Sequence, residues 1–265
     1  MTEMVTSNWL EANRPDIWQG IIEKSHSPLF DTNFLVQMGE IYRREFAGER
    51  FELSVTIPTI PVDACKFNQA PDLCSVHSGF DLPLLITPKH NWNGKMVIIA
   101  SQDPLRKSDW APRGLSMCTP WGFSTQGGSS RGGKILWPVV EWLCRQGLGV
   151  YFTDVWKLYV EPSSGIKRNI STRQIEREVF KAEMDIVSPV LWVAFGNAAQ
   201  EALSKFGITH VDKHPHPTAF GSLKKHYGTE DEKFTTIQKA IISQISSKIF
   251  AGEALTGNHA AELSK

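Results

Sequence analysis

Three polar side chains lie at or just after the ends of short apolar segments, where they are placed to do chemistry. They are Asp103, Asp154 and His214. Carboxylates and imidazoles can orient water, move protons and stabilise the charge that develops during a reaction. Each also has an ordinary alternative role: Asp103 can cap a helix, Asp154 can cap a turn, and His214, with His216 two residues on, can be a structural loop histidine. The coincidence of all three predicts one polar site.

The apolar segments before these residues are typical of buried strands. The clearest spans 96–100, between the turn signal Asn93-Gly94 and the polar stretch that begins at Ser101. A short apolar run with such flanks indicates a strand of a parallel sheet that is buried on both faces. Ligands of open α/β sheets bind beyond the carboxyl ends of the strands. The three polar residues are therefore expected to converge on one crevice.

From residue 95 onward, strand and helix patterns alternate, which indicates a parallel sheet covered by helices. We predict an α/β fold, a three-layer α/β/α domain with a central, mostly parallel four-stranded sheet. Thr172 is the expected cap of the second helix, and Pro138 lies inside the first. The predicted strands span 96–100, 149–154, 190–195 and 208–211, and the predicted helices span 135–146, 172–187, 197–206 and 233–250.

The first part of the chain lacks this alternation. Residues 33–46 have helical periodicity, whereas prolines break the stretch 56–63 into extended chain. We therefore expect residues 1–90 to form an N-terminal helical extension and a lead-in segment packed on the core. The α/β domain is expected to span 91–265.

The composition is that of an ordinary globular protein, with 41% hydrophobic and 21% charged residues. Lys plus Arg and Asp plus Glu both number 28, so a generally basic surface is excluded. Any DNA binding would need a local patch, such as Arg43, Arg44 and Arg50, or Lys224 and Lys225, and each of these can equally be a solvated face. The polar start and the lack of a long apolar run predict a cytoplasmic protein with no membrane contact, and we expect a monomer.

The cysteines are Cys65, Cys74, Cys118 and Cys144, and none forms a close Cys-x-x-Cys pair. Cys65, Cys74 and His77 could ligate zinc, but their spacing is irregular. Reduced, partly buried thiols are the better interpretation, and we expect no metal and no cofactor.

Taken together, these motifs resemble the uracil-DNA glycosylase superfamily. Residues 101–106 read SQDPLR, where the family has GQDPYH, and residues 153–157 read TDVWK, where it has LLNAV or, in its iron–sulfur branch, TNVVK. Residues 214–217 read HPHP, where the family has HPSP. Residues 190–199 look like the apolar strand that leads into a Gly-x-x-Ala helix start. The ordered set covers about 95–225, and it makes 91–265 a candidate catalytic domain.

The resemblance implies roles for the polar residues. Asp103 would orient water and stabilise the cationic sugar as the glycosidic bond breaks. His214 would hydrogen-bond O2 of the base and stabilise the departing negative charge. Gln102 would contact the base through its side chain or backbone. An enzyme of this kind must flip the nucleotide out of the duplex before it acts.

Base flipping requires a stacking platform and contacts to the DNA. Motif spacing places the platform near Met117, whereas Trp121 and Phe123 are chemically better platforms and can equally be core residues. The residues after Pro217 fall where the family wedges the duplex. The expected DNA contacts are Lys157, His216, Thr218, Phe220 and Lys224.

Three departures from the family pattern bear on the substrate. The regions where the iron–sulfur branch carries cysteines contain none, so no cluster is expected. Asp154 replaces the Asn that reads uracil, and an ionised carboxylate only accepts hydrogen bonds, which suits the N4 amine of cytosine. With N3 of the base also protonated, the contact would become charge-assisted. Leu105 replaces a Tyr that walls off C5, which leaves room for a C5 substituent.

The sequence thus predicts a DNA glycosylase for a cytosine-type, C5-modified base, such as a modified base in phage DNA, which would make the protein a defence enzyme. No lysine is marked as a Schiff-base nucleophile, so the enzyme is expected to be monofunctional. Three alternatives stay open: a repair glycosylase for uracil or another deaminated base, with Asp154 protonated; a non-catalytic DNA-binding module; and a metal-dependent hydrolase. The last would use His210, Asp212, His214 and His216.

Overall fold

A computed structural model describes residues 8–48, 58–104, 111–123, 126, 131–217, 219–227 and 236–249. Its strands are β1 Leu10–Ala12, β2 His77–Asp81, β3 Leu84–Pro88, β4 Met96–Ser101, β5 Gly114–Cys118, β6 Gly149–Asp154, β7 Leu158–Val160, β8 Leu191–Phe195 and β9 Val211–His214. Its helices are α1 Gly20–His26, α2 Thr32–Phe46, α3 Ala70–Cys74, α4 Arg131–Arg145, α5 Ile170–Ile186, α6 Asn197–Ser204, α7 Phe220–Tyr227 and α8, residues 236–249.

The main sheet has six strands in the order β1-β3-β6-β4-β8-β9. The four strands from β6 to β9 in this order are parallel, and β3 and β1 are added antiparallel at one side. The protein therefore has the predicted α/β class, but its sheet is mixed and six-stranded rather than four-stranded. The two extra strands come from the first 90 residues, where a helical extension was expected, and the division of the chain at residue 90 stays a prediction.

A second, smaller sheet has the order β5-β2-β7. Strand β2 pairs in parallel with β5 and antiparallel with β7. This sheet was not predicted, because its strands are short and carry Gly, Ser and His among the apolar residues.

Alternate residues of the main strands pack on opposite layers. Val97 and Ile99 of β4 join a buried cluster with α4 and α8, whereas Ile98 joins a cluster with α1, α2 and the small sheet. Ala100 packs with α5 and α6. The run of apolar residues in β4 is thus explained by a strand that is buried on both faces, and the three-layer arrangement follows.

Two local details differ from the sequence prediction. Asn169, not Thr172, caps α5, because its side chain accepts a hydrogen bond of 2.8 Å from the backbone N–H of Thr172. The last parallel strand is Val211–His214 rather than 208–211, so His214 ends the strand instead of following it. Helix α4 continues through Pro138 as predicted. Among the described residues, no helix has the length and hydropathy needed to cross a membrane.

Candidate active site

The carboxyl ends of the parallel strands bring the predicted polar residues to one edge of the sheet. Ser101 of β4 pairs with Asp154 of β6, and Phe195 of β8 pairs with His214 of β9. Neighbouring strands lie about 4.8 Å apart, so the backbones of Asp154 and His214, three strands apart, are separated by about 14 Å. The residues thus share one edge of the sheet, with Phe195 between the two ends, whereas their convergence on one crevice stays a prediction.

Asp154 is a deeply buried polar group at this edge, with 2% of its surface exposed. The hydroxyl of Ser101 donates a short hydrogen bond to its Oδ1. Its Oδ2 has no hydrogen-bond partner within the described part of the chain. Burial, and then the nearby Asp81, raise the pKa of Asp154 well above its ordinary value, against the opposing effects of Ser101 and Lys157. The protonated form of the carboxyl group is therefore favoured.

Asp103 lies two residues beyond the end of β4 and is half-buried. Burial raises the pKa of Asp103, Arg168 lowers it and Asp81 raises it again. The shift is smaller than that of Asp154, whose pKa is also raised by Asp103. Two carboxyl groups in unequal environments can divide acid and base roles between them.

Asp81, at the end of β2, is the functional candidate that the sequence prediction missed. It is 7% exposed and raises the pKa of both Asp103 and Asp154. Like Asp154, Asp81 is an acidic residue that ends a short strand, which could have identified it. The sequence of that strand, HSGFD, is too polar to be recognised as a strand. The structure thus groups three carboxyl side chains where two were expected.

His214 is buried, with 1% exposed, and both of its ring nitrogens are bonded. Nε2 lies 2.9 Å from Oδ2 of Asp212, and Nδ1 lies 2.8 Å from the hydroxyl of Tyr227. When Nε2–H donates to the carboxylate, Nδ1 accepts from the phenol. The ring also stacks on Phe195, with centroids 5.3 Å apart. The imidazole is thereby held rigidly in one orientation.

Asp212 is the anionic end of this arrangement. Its Oδ1 accepts a hydrogen bond of 2.5 Å from Nζ of Lys248, on α8. Although burial acts in the opposite direction, the hydrogen bonds from His214 and Lys248 hold the pKa of Asp212 below its ordinary value. Burial raises the pKa of Tyr227, so its hydroxyl stays protonated and can donate. The contact of His214 with O2 of the base stays a prediction, and in the structure both ring nitrogens already have hydrogen-bond partners.

A pocket of about 530 Å³ opens beside His214. It lies between the start of α6, the HPHP loop and α7, and its lining is rich in basic side chains. The basic lining residues are Lys213, His214, His216, Lys225 and His226. The amide side chains of Asn197 and Gln200 also line the pocket.

Of the three predicted stacking platforms, two are fully buried and one is partly buried. Met117 and Phe123 are wholly buried in separate core clusters, so neither presents a surface to a base, and the structure corrects both predictions. Trp121 is partly buried, and its ring centroid lies 5.1 Å from that of His216 and 6.0 Å from that of Phe195. Trp121 is therefore the candidate platform that lies at the sheet edge.

The remaining residues predicted to contact the base or the DNA differ in their exposure to solvent. Gln102 is exposed, and its carbonyl accepts a hydrogen bond of 2.8 Å from the backbone of Trp156. His216 is half-buried in the pocket lining, and burial lowers its pKa. Lys157 is 1% exposed and paired with Glu183, so it is not a surface contact to DNA, which corrects that prediction.

The other predicted residues fall partly or wholly beyond the described parts of the chain. Leu105 and Thr218 lie outside them. Phe220 and Lys224 belong to α7, but their side chains are outside the description.

The described residues contain no group of three or more His, Cys, Asp or Glu side chains placed to hold a metal ion. None of the four cysteines forms a disulfide, and Cys144 is buried. Asp212 and His214 are two members of the metal site considered for a hydrolase. They are hydrogen-bonded to each other, and Asp212 is also hydrogen-bonded to Lys248 and His214 to Tyr227.

A scan against models of known protein families finds no match to this chain, and a search of curated proteins finds none either.

Proposed function

We propose that the protein is a monofunctional DNA glycosylase of the uracil-DNA glycosylase type that excises a cytosine-type, C5-modified base and leaves an abasic site. The observation that carries this proposal is the buried carboxyl group of Asp154, with one oxygen unpartnered among the described residues, beside Asp103 at the ends of two adjacent parallel strands. A buried polar atom without a partner costs free energy, so a ligand that supplies the partner is the simplest reason for it. The motif resemblance supports the same proposal.

Asp103 would act on the sugar side of the reaction. As the bond from C1′ to the base breaks, positive charge develops on the sugar, and a carboxylate nearby stabilises it. The same carboxylate accepts a proton from the water that attacks C1′. The bonding electrons leave with the base. Burial raises the pKa of Asp103, whereas Arg168 opposes this shift and so favours the ionised form that this role needs.

Asp154 would act on the base. Because Ser101 donates to Oδ1, the proton of the neutral carboxyl group belongs on Oδ2. Oδ2–H can donate to N3 of cytosine, while Oδ1 accepts from the N4 amine. Transfer of this proton to N3 would let the base leave without a negative charge. In this proposal Asp154 acts as a proton donor, whereas the sequence predicts an ionised acceptor.

A repair glycosylase for uracil is the second candidate function, and the raised pKa of Asp154 is the observation that favours it. A neutral carboxyl group can donate to O4 of uracil and accept from N3–H, as the amide of the family's Asn does. Uracil offers no basic N3 to receive the proton, so only the cytosine-type reaction uses Asp154 as an acid.

The DNA contacts belong to the same proposal. The net charge is zero, so phosphate binding needs a local patch, and the basic lining of the pocket beside His214 supplies one in Lys213, Lys225 and His216. Thr218, Phe220 and Lys224 would extend this contact, and Leu105 would leave room for a C5 substituent. We place the protein in the cytoplasm as a monomer that needs no cofactor and acts on foreign, modified DNA such as that of phages.

The test is mass spectrometry of bases released from DNAs that carry uracil, cytosine, methylcytosine, hydroxymethylcytosine or glucosylated hydroxymethylcytosine. We expect release of a C5-modified cytosine and little release of uracil. Release of uracil alone would favour the repair enzyme. No release from any of these DNAs, with DNA binding retained, would favour a non-catalytic binding module.

Substitution of His214 by Ala should slow base release about a hundredfold or more, the usual effect of losing one hydrogen-bond donor to an oxygen that gains electron density, here O2 of the departing base. To contact O2 of the base, the ring must exchange one of its partners, Asp212 or Tyr227. His216→Ala is the matched control in the same loop, and single-turnover rates measure both. A larger loss in His216→Ala would show that His216, not His214, is the residue that acts on the base.

A further inference from the structure

Lys157 lies three residues beyond Asp154, and its side chain turns back into the protein. Its Nζ donates a hydrogen bond of 2.7 Å to Oγ1 of Thr153 and a shorter one to Oε2 of Glu183. Thr153 directly precedes Asp154, so the lysine joins both flanks of Asp154 to helix α5. The backbone N–H of Val155 donates a hydrogen bond of 3.0 Å to the carbonyl of Ser101, and that of Trp156 donates one of 2.8 Å to the carbonyl of Gln102. The segment 153–157 is thus fixed on two sides.

Glu183 is the centre of this buried network. It accepts from the hydroxyls of Tyr151 and Thr153, each at 3.0 Å, and its Oε1 lies 3.4 Å from Nε2 of His26 on α1. Burial, and then Lys157, lower the pKa of His26 well below its ordinary value, so His26 is neutral at pH 7. Lys157 is therefore the positive partner of Glu183.

Stability gives no reason for an ion pair at this place. Removing two charges from water costs several kcal/mol for each ion, and replacement of such pairs by apolar side chains is often neutral or stabilising. Thr153 and Asp154 point to opposite faces of the sheet, because side chains alternate along a strand. The ammonium group of Lys157 is bonded to Thr153 and is therefore buried on the face of the sheet opposite to the side chain of Asp154.

Asp154 is otherwise surrounded by negative groups. Asp81 from β2 and Asp103 beyond β4 both disfavour its ionised form, while Ser101 and Lys157 favour it. Lys157 is the positively charged member of this set. In a site that excludes water, a single fixed charge of this kind has a larger effect than it would at the surface.

We propose that Lys157 is a positioning residue, which fixes the segment that carries Asp154 and stabilises the carboxylate that forms when Asp154 gives its proton to the bound base. The identity of the base rests on the function proposed above, whereas the electrostatic link between Lys157 and Asp154 does not. In the transfer, the bond from hydrogen to Oδ2 breaks, a bond from that hydrogen to N3 of the base forms, and the negative charge left on Asp154 lies near Lys157.

Two variants separate this role from a merely structural one. Lys157→Met with Glu183→Gln removes both charges and keeps the acceptor oxygen that Tyr151 and Thr153 need. Glu183→Gln alone leaves the lysine without its counter-charge. The titration of Asp154 is measured without DNA, by carboxyl carbon NMR on protein labelled at aspartate.

We expect the midpoint of the Asp154 titration to move to higher pH in the double variant and to lower pH in Glu183→Gln. Lys248→Met, which removes a lysine bonded to a different aspartate, is the matched control and should leave the midpoint unchanged. Shifts of the same sign in both variants, or no shift, would overturn the proposal. Loss of the negative charge of Glu183 also lowers the midpoint by itself, so the link is isolated by comparing Glu183→Gln with the double variant, since these two proteins differ only at Lys157. If the double variant does not fold, Lys157→Gln with Glu183→Gln replaces it in this comparison.

The DNA reaction gives a second readout. With a C5-modified cytosine substrate at pH 7, the double variant should lose about a hundredfold in kcat, within the range of general acid catalysis, and little in KM. A wild-type protein that releases no base would remove the proposed function but leave the titration result, so the two failures are distinguishable.

Discussion

Asp103→Ala should abolish measurable base release while the protein stays folded. The carboxylate would both stabilise the cationic sugar and accept the proton of the attacking water, and loss of general base catalysis alone is worth about a hundredfold to ten-thousandfold in rate. Asp103 is half-buried at the end of a strand and caps no helix among the described residues, so its removal leaves the fold supported by the core clusters. Single-turnover release from the best substrate measures the effect.

The controls for this experiment are a conservative change and a matched change elsewhere. Asp103→Asn keeps the shape but not the charge and should be nearly as damaging as Asp103→Ala. Asp185→Asn removes an exposed carboxylate on α5 and should leave the rate unchanged. Full activity in a folded Asp103→Ala protein, judged by circular dichroism, would remove Asp103 from the mechanism.

Asp154→Asn should weaken release of the cytosine-type base and move the preference toward uracil. The amide can still hydrogen-bond either base, but it has no proton to give to N3, so only the cytosine-type reaction loses its acid. The loss of a positioned general acid is worth about a hundredfold or more. The ratio of kcat/KM for the two bases, measured in wild type and variant, gives the change in preference.

The pH dependence gives an independent check on this role. The pKa of Asp154 is raised well above its ordinary value by burial and by Asp81, so the group is protonated below that raised pKa. Release of the cytosine-type base should therefore fall at low pH, where Asp103 becomes protonated, and fall again as the pH rises through the raised pKa of Asp154. In Asp154→Asn the fall at higher pH should disappear. A wild-type protein that releases uracil well and ignores every cytosine derivative would contradict the proposed specificity.

The sequence alone determined the α/β class, the strands around β4, β6 and β8, and the adjacency of Asp103 and Asp154. These features depend on local patterns, since short apolar runs between turn signals mark buried strands and parallel strands place their carboxyl ends at one edge. The strand that ends at His214 was predicted three residues early, because its sequence VDKH contains little apolar signal.

The tertiary structure alone decided which polar groups are buried and what they contact. The sequence predicts that Lys157 is a surface residue, whereas in the structure it is buried and paired with Glu183, 26 positions away. Asp81 lies in the site because β2 pairs with strands far from it in the chain, and Nδ1 of His214 is hydrogen-bonded to Tyr227, 13 residues on. Burial and partners are set by contacts between distant segments, and no local periodicity records them, which is why the raised pKa of Asp154 follows only from the folded chain.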